Sequence, residues 1–207
     1  MARISRRSVL QRTMTATGAA LVAGPAFVRL SAPWVAEAAS ADSQTLADLV
    51  TMEDAAVFVY AKLAATLAPP SPATGQTPLP GPLKIGADVL AAQHAVHRDT
   101  LVQALMRLGG TVPPLGADHS GLLPTGSSAQ AALDALDRVE SGIVGGQYAA
   151  LGSLTDRSVV GLVASLYGVA ARRQSIVAHA AGRGELHGPV VTGDSQAAQA
   201  LLAGKLP

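Results

Sequence analysis

Four side chains in this sequence have the chemistry to hold an ion or move a proton inside a protein: Glu53, His94, His97 and Glu140. The two histidines stand three apart in "VLAAQHAVHRDTLV", residues 89–102, within an apolar run. Residues at i and i+3 share one face of a helix, so both imidazoles can converge on a single point. Imidazole with carboxylate suits zinc, iron or manganese, and one such ion held by all four residues is one reading of the quartet. The other is a hydrogen-bonded polar layer in which the four groups pair with one another. Such a layer expects no stoichiometric metal, and tolerance of a similarly sized apolar residue at 94 or 97.

The elements that would position these residues are helices. Runs with helical periodicity cover about 43–67, 84–108, 128–151 and 156–181, and no segment alternates as a strand would. Proline-rich "APPSPATGQTPLPGP" ends the first run, and Gly109-Gly110 with Pro113-Pro114 beyond ends the second. Ser127 or Ser128 can cap the third, and Thr155 the fourth. From Gly182 onward the sequence reads as an irregular tail with a short turn of helix near Gln196 to Leu202.

Each run carries an apolar seam spaced three and four apart, the mark of a bundle core. The seams are Leu46, Val50, Val57, Ala64 and Leu67; Leu90, Leu101, Leu105 and Leu108; Leu133, Leu136, Val144 and Leu151; and Val160, Val163, Ala170, Val177 and Ala181. Glu53 and Tyr60 fall on the first, His94 and His97 on the second, Glu140 and Gln147 on the third, Tyr167 and Gln174 on the fourth. A buried carboxylate without a partner costs several kcal/mol, so inward-facing Glu53 and Glu140 must pair or hold an ion. The linker after the second helix is long enough to cross the whole bundle, which allows both an up-down and a crossover connection.

The chain has 207 residues, 49% of them hydrophobic, enough for one good-sized core. A formal charge of +1 gives no electrostatic case for nucleic acid. Absence of cysteine excludes disulfides, iron–sulfur clusters and thiolate zinc sites. The N-terminal segment has the layout of an export signal. Arg6 and Arg7 precede a weakly hydrophobic stretch from about Met14 to Val28, and small-x-small patterns follow at Ala36-Glu37-Ala38 and Ala39-Ser40-Ala41. Ser5 to Leu10 resemble the twin-arginine pattern. The expectation is a signal peptide over 1–41, a bundle over 42–182 and a tail over 183–207. The mature protein would lie in the periplasm, in the cell envelope or outside the cell, with no stable membrane span and with room for a homo-oligomer.

A faint repeat joins the two halves: "MEDAAVFVYAKL" is similar to "VESGIVGGQYAAL", and "LAAQHAVHRDTLV" to "LVASLYGVAARRQSIV". With "HAVHRDTLVQALMRLGGTVPP" and "ALDRVESGIVGGQYAAL", these segments resemble a ferritin-like domain family of bacterial exported proteins, over roughly Leu46 to Ala181. The resemblance implies a four-helix bundle of two antiparallel hairpins joined by a crossover, and carries no established reaction. In the wider superfamily two metals are held by one glutamate from each of two helices and Glu-x-x-His from each of the others. By that resemblance Glu53 and Glu140 match the single glutamates. His94-x-x-His97 replaces the first Glu-x-x-His, and Tyr167-x-x-Ala170 the second, which leaves two of the four carboxylates a di-iron centre needs.

The remaining candidates have ordinary readings. Arg98 and Asp99 read as a surface or interhelical ion pair, Arg172-Arg173 with Arg183 as a solvated basic face, and His119 and His187 as loop histidines without partners. Tyr60, Tyr148 and Tyr167 read as buried tyrosines, each with a hydroxyl partner. Two functions from different classes stand open: a non-catalytic exported bundle with a binding, structural or stress-related role, and a metal-dependent oxidoreductase or metal-handling protein. A weaker third is docking of a partner on the proline-rich loop.

Overall fold

The computed structural model describes residues 32–68, 81–183 and 193–204. The twin-arginine-like pattern, most of the proline-rich segment and His187 lie outside them. The chain divides into two compact units, Met1–Glu37 and Ala38–Pro207, and the bundle belongs to the second. Its helices are α1 (Ala32–Leu63), α2 (Pro82–Arg107), α3 (Ala129–Ser153), α4 (Arg157–Ala180) and α5 (Ser195–Leu202). One 3-10 turn, Ser120–Leu122, interrupts the α2–α3 linker.

Helix α1 begins at Ala32, earlier than the sequence pattern predicts. The alanine-rich stretch before Ser43 contains no breaker, and Pro33 sits in the first turn, where a missing N–H costs nothing. Helix α2 stops where the glycines predict. Gly109 takes φ 73°, Gly110 N–H bonds the Leu105 carbonyl at 3.0 Å, and Gly109 N–H bonds that of Met106. Ser128 caps α3 by accepting the Ala131 N–H. The expected cap of α4 is corrected: Asp156, not Thr155, accepts the Ser158 and Val159 N–H groups. Thr155 is engaged by buried Asp42, whose carboxylate accepts from Thr155 N–H, Thr155 Oγ1 and Asp156 N–H at 2.8–3.2 Å.

Side-chain pairings fix the helix directions. Glu53 meets Gln147 and Tyr60 meets Glu140, so α1 and α3 run antiparallel. Glu53 meets His94, while Tyr60 and Leu67 share a cavity wall with Leu83, Ala87 and Leu90, so α1 and α2 are also antiparallel. Gln130 reaches the Ala181 carbonyl and Glu140 reaches Arg173, which sets α4 against α3 in the same way. Two antiparallel hairpins result, and α2 and α3 run the same way, so their linker crosses the bundle. The crossover is pinned to α1: Gly116 N–H donates to Asp54 Oδ2 at 2.8 Å, His119 packs edge-on against Phe58, and Leu122 is fully buried.

The apolar core is a single cluster drawn from all five helices, including Leu46, Leu101, Ile143, Val163 and Leu201. Helix α5 stands where the sequence places a short turn of helix, within the otherwise irregular tail. Ala197, Ala198 and Leu201 are buried, and the helix lies against α3 at Gly142 and Gly145, where an added Cβ would stand 2.9 Å from Ala197 O and 2.6 Å from Asp194 O. Among the described residues no helix is long and apolar enough to cross a membrane.

Candidate functional site

Half-way along the bundle, the apolar core gives way to one layer of polar side chains. Helix α1 brings Glu53 and, seven residues on, Tyr60; α3 brings Glu140 and, seven on, Gln147. Seven residues rise about 10.5 Å, so in antiparallel helices each glutamate comes level with the other helix's second residue. The pairing is reciprocal. Tyr60 OH donates to Glu140 Oε1 at 2.7 Å, and Gln147 Nε2 donates to Glu53 Oε1 at 3.0 Å. The sequence repeat pairs Tyr60 with Tyr148, but the partner residue on α3 is Gln147, while Tyr148 is 48% exposed. Tyr148 stacks loosely on Tyr167 of α4 at 6.1 Å between ring centroids.

His94 of α2 joins the two glutamates. Its Nδ1 lies 2.6 Å from Glu53 Oε2 and its Nε2 lies 3.0 Å from Glu140 Oε1, with all three residues buried. A neutral imidazole has one donor and one acceptor nitrogen, and an acceptor cannot face an ionised carboxylate at this distance. Both nitrogens therefore carry protons, and His94 is an imidazolium. The electrostatics agree. Burial by itself would lower the His94 pKa, but the facing charges of Glu140 and Glu53 raise it above its ordinary value. Burial would raise Glu53, but the charge and hydrogen bonds of His94 prevail and lower it to about 2. Glu140 is lowered against burial by His94, Arg173 and Tyr60. Tyr60, buried and held by Glu140, is pushed far up and stays protonated.

Arg173 of α4 completes the layer and is the residue sequence reasoning misplaced. It is buried, not on a solvated basic face. Its Nε donates to Glu140 Oε2 at 3.2 Å, and its Nη1 lies 3.1 Å from His97 Nδ1. Arg172 is the exposed member of the pair. A guanidinium only donates, so His97 Nδ1 accepts and carries no proton. His97 sits at the layer's edge with 11% of its side chain exposed, 3.6 Å from Glu53 Oε1. The signal for Arg173 lay in helical phase: Val159, Val163, Leu166, Ala170, Arg173 and Val177 are the buried series on α4, stepping four, three, four, three, four. Of the expected seam, Val163, Ala170, Gln174, Val177 and Ala181 are buried, whereas Val160 and Tyr167 stand one residue beside buried Val159 and Leu166.

The layer thus brings together all four candidate residues, Glu53, His94, His97 and Glu140, and adds Tyr60, Gln147 and Arg173. Two carboxylates face two cations, and the charges cancel. As arranged, the donor set does not fit a metal ion. Both His94 nitrogens are spent on carboxylate oxygens, Glu53 lies within hydrogen-bond distance at 2.6 Å, and the His97 nitrogen nearest the glutamates is taken by Arg173. Among the described residues no group of three or more ligand side chains is disposed around an ion-sized point. The pairing also changes one expectation: an apolar residue at 94 would strand two buried carboxylates, so tolerance there is lost.

A second polar cluster, absent from the sequence reading, surrounds buried Asp54. Arg98 bridges Asp54 Oδ1 at 3.0 Å and Asp99 Oδ1 at 2.9 Å, which joins α1 to α2 as an interhelical pair should. His119, expected to be unpartnered, is buried edge-on against Phe58; its Nε2 lies 3.6 Å from Asp54 Oδ2, beyond hydrogen-bond reach. This cluster holds the crossover against α1, with Asp54 buried and Asp99 on the solvent side.

No known protein family matches the sequence, and no curated protein matches it. The bundle is similar to the solved structure of a mutant of Mycobacterium smegmatis Dps1, of the ferritin-like superfamily. The TM-score is 0.54 at 17% identity, over 73% of this chain and 98% of that chain. At that identity the likeness establishes the all-α, ferritin-like fold and nothing of the chemistry.

Proposed function

We propose that this ferritin-like bundle is an exported, non-catalytic protein with a binding, structural or stress-related role, in which a polar layer occupies the place of the superfamily's metal centre. The observation that carries the reading is the charge-closed quartet of Glu53, Glu140, His94 and Arg173, in which every charge has a buried counter-charge within hydrogen-bond reach. Such a layer gives the bundle register, because the four groups satisfy each other in only one relative setting of the helices. It offers no open coordination position, no unpaired base and no polar cleft for a substrate.

Export rests on the Arg6-Arg7 pattern and the small-x-small sites. Self-association fits the outer face of α2, where Ile85, Val89 and Val96 are half exposed or more at helical spacing; light scattering on the mature protein would detect it.

Elemental analysis of the mature protein, exported natively and purified without chelator or immobilised nickel, tests the reading. Less than a tenth of an equivalent of iron, manganese or zinc per chain is the expected result. Near one equivalent, lost in His97→Ala, would replace this reading with the metal-handling or oxidoreductase alternative built on Glu53, His94, His97 and Glu140.

A further inference from the structure

We propose that the cleft between α1, α3 and α5 is a binding site for a small organic cation, an ammonium group carried on an apolar body. None of the polar layer's seven residues lines this cleft, so the proposal holds whatever the layer binds.

Shape gives the first argument. The cleft has a volume of about 380 Å³, within the ~300–1,000 Å³ range that takes a small organic molecule. Leu49 and Met52 of α1 are buried along its base, and Gly145 and Gly146 leave its α3 wall as bare backbone. Met52 packs against that wall, where a Cβ added at Gly146 would stand 2.5 Å from its sulfur. A thioether is flexible and polarizable, and it makes favourable contacts with an aromatic ring. Helix α5 closes the third side with Ala198 and Leu202. Leu202 is 40% exposed although α5 docks through Ala197, Ala198 and Leu201, so it offers apolar surface to an occupant rather than to the core.

Charge gives the second. Asp48 is the one charged residue of the lining, and no lysine or arginine lines the cleft. Its Oδ1 accepts from the neutral Gln44 amide at 2.8 Å, and among the described residues no cation faces it. The carboxylate is half-buried, where water screens a charge less than it does in the open. Helix α3 ends on the same wall at Ser153, and the carbonyl end of a helix favours a cation. Ser153, Ser195 and Gln199 add neutral hydrogen-bonding groups at the exposed rim. An ammonium group therefore finds a counter-charge here and a carboxylate finds repulsion.

The third wall also gives binding a readout. Eight residues do not hold a helix alone, so α5 depends on its docking. A molecule that touches Leu49 and Leu202 together binds only the docked state and holds α5 in place.

The probe is phenethylammonium, titrated into the isotope-labelled mature chain, with phenethyl alcohol and phenylacetate as neutral and anionic counterparts. The expected result is saturable amide shifts at Leu49, Met52, Gly146 and Leu202, with slower amide exchange over 195–202. The cation binds at least fivefold tighter than the alcohol, and the anion binds most weakly. Asp48→Asn, which keeps the shape and the Gln44 contact, brings the cation down to the alcohol's affinity and leaves the alcohol unchanged. Ala149→Trp, at an exposed lining position, fills the cleft and abolishes binding of both. Circular dichroism checks each variant, and Ala149→Leu carries the comparison if the tryptophan variant does not fold. Cation binding weaker than about 10 mM overturns the proposal. So do shifts centred elsewhere on the bundle, a cation preference that survives Asp48→Asn, or binding that survives a folded position-149 variant. A dimer in light scattering that Ala149→Trp dissociates would give the cleft to a second copy, and overturns it too.

Discussion

His94 is the side chain on which the polar layer turns, because among the described residues it hydrogen-bonds both glutamates. Replacing it with leucine removes the imidazolium and leaves two carboxylates buried, with Arg173 the only cation between them. Breaking a buried ion pair costs about 3–5 kcal/mol, and urea unfolding of His94→Leu should show a loss of that size. Gln147→Leu, which takes one neutral donor from Glu53, should cost about 1–2 kcal/mol. Equal, small losses in both would mean that His94 is not an imidazolium in the folded protein. Six of the seven residues here were legible in the sequence as inward interruptions of a seam: Glu53, Tyr60, His94, His97, Glu140 and Gln147. The edge position of His97 was not. Arg173 was not legible, because Arg173 and Gln174 are adjacent and either can continue a three-four spacing from Ala170. Only the neighbours Val159 and Leu166, buried in place of Val160 and Tyr167, decide the phase.

At the scale of elements, the least anticipated feature is how α5 attaches. Its eight residues cannot make a stable helix alone, so the helix persists by docking. The receiving surface is a groove on α3 at Gly142 and Gly145, with Gly193 at φ 68° turning the chain in and Asp194 N–H bonding the Ser141 carbonyl at 3.0 Å. In sequence, glycines inside "VESGIVGGQ" read only as a cost to helix propensity; their use as a landing strip depends on a segment fifty residues away. Gly145→Val would push a side chain into the Asp194 backbone, which cannot move aside as a flexible side chain could. Its expected effects are a loss of about 1–3 kcal/mol and faster amide exchange over 195–202, with exchange at the polar layer unchanged. Uniform acceleration along the chain would show instead that α5 is part of the cooperative core. The crossover was legible as an option from linker length, but its choice depends on Asp54, Gly116 and His119, whose meeting no local pattern announces.

For the whole molecule, the layer makes stability depend on pH from both sides. Glu53 is lowered from 4.5 to about 2 in the folded state, so its contribution is present above pH 4.5 and is lost as pH falls from there towards 2. Glu140, also lowered, acts with the same sign. His94 is raised above 6.5, so its contribution is fully present below pH 6.5 and drains away as pH climbs through the folded value. The two slopes oppose each other, and the maximum falls between them, in the mildly acidic range. Melting temperature measured from pH 3 to 10 should therefore trace a dome. Glu53→Gln should flatten the acid limb, because a neutral amide has no proton to gain there. His94→Gln should flatten the alkaline limb and lower the whole curve, since it removes a cation that both glutamates require. An alkaline limb unchanged in His94→Gln would assign that limb to other groups and would undo the imidazolium reading on which the closed charge balance of the bundle depends.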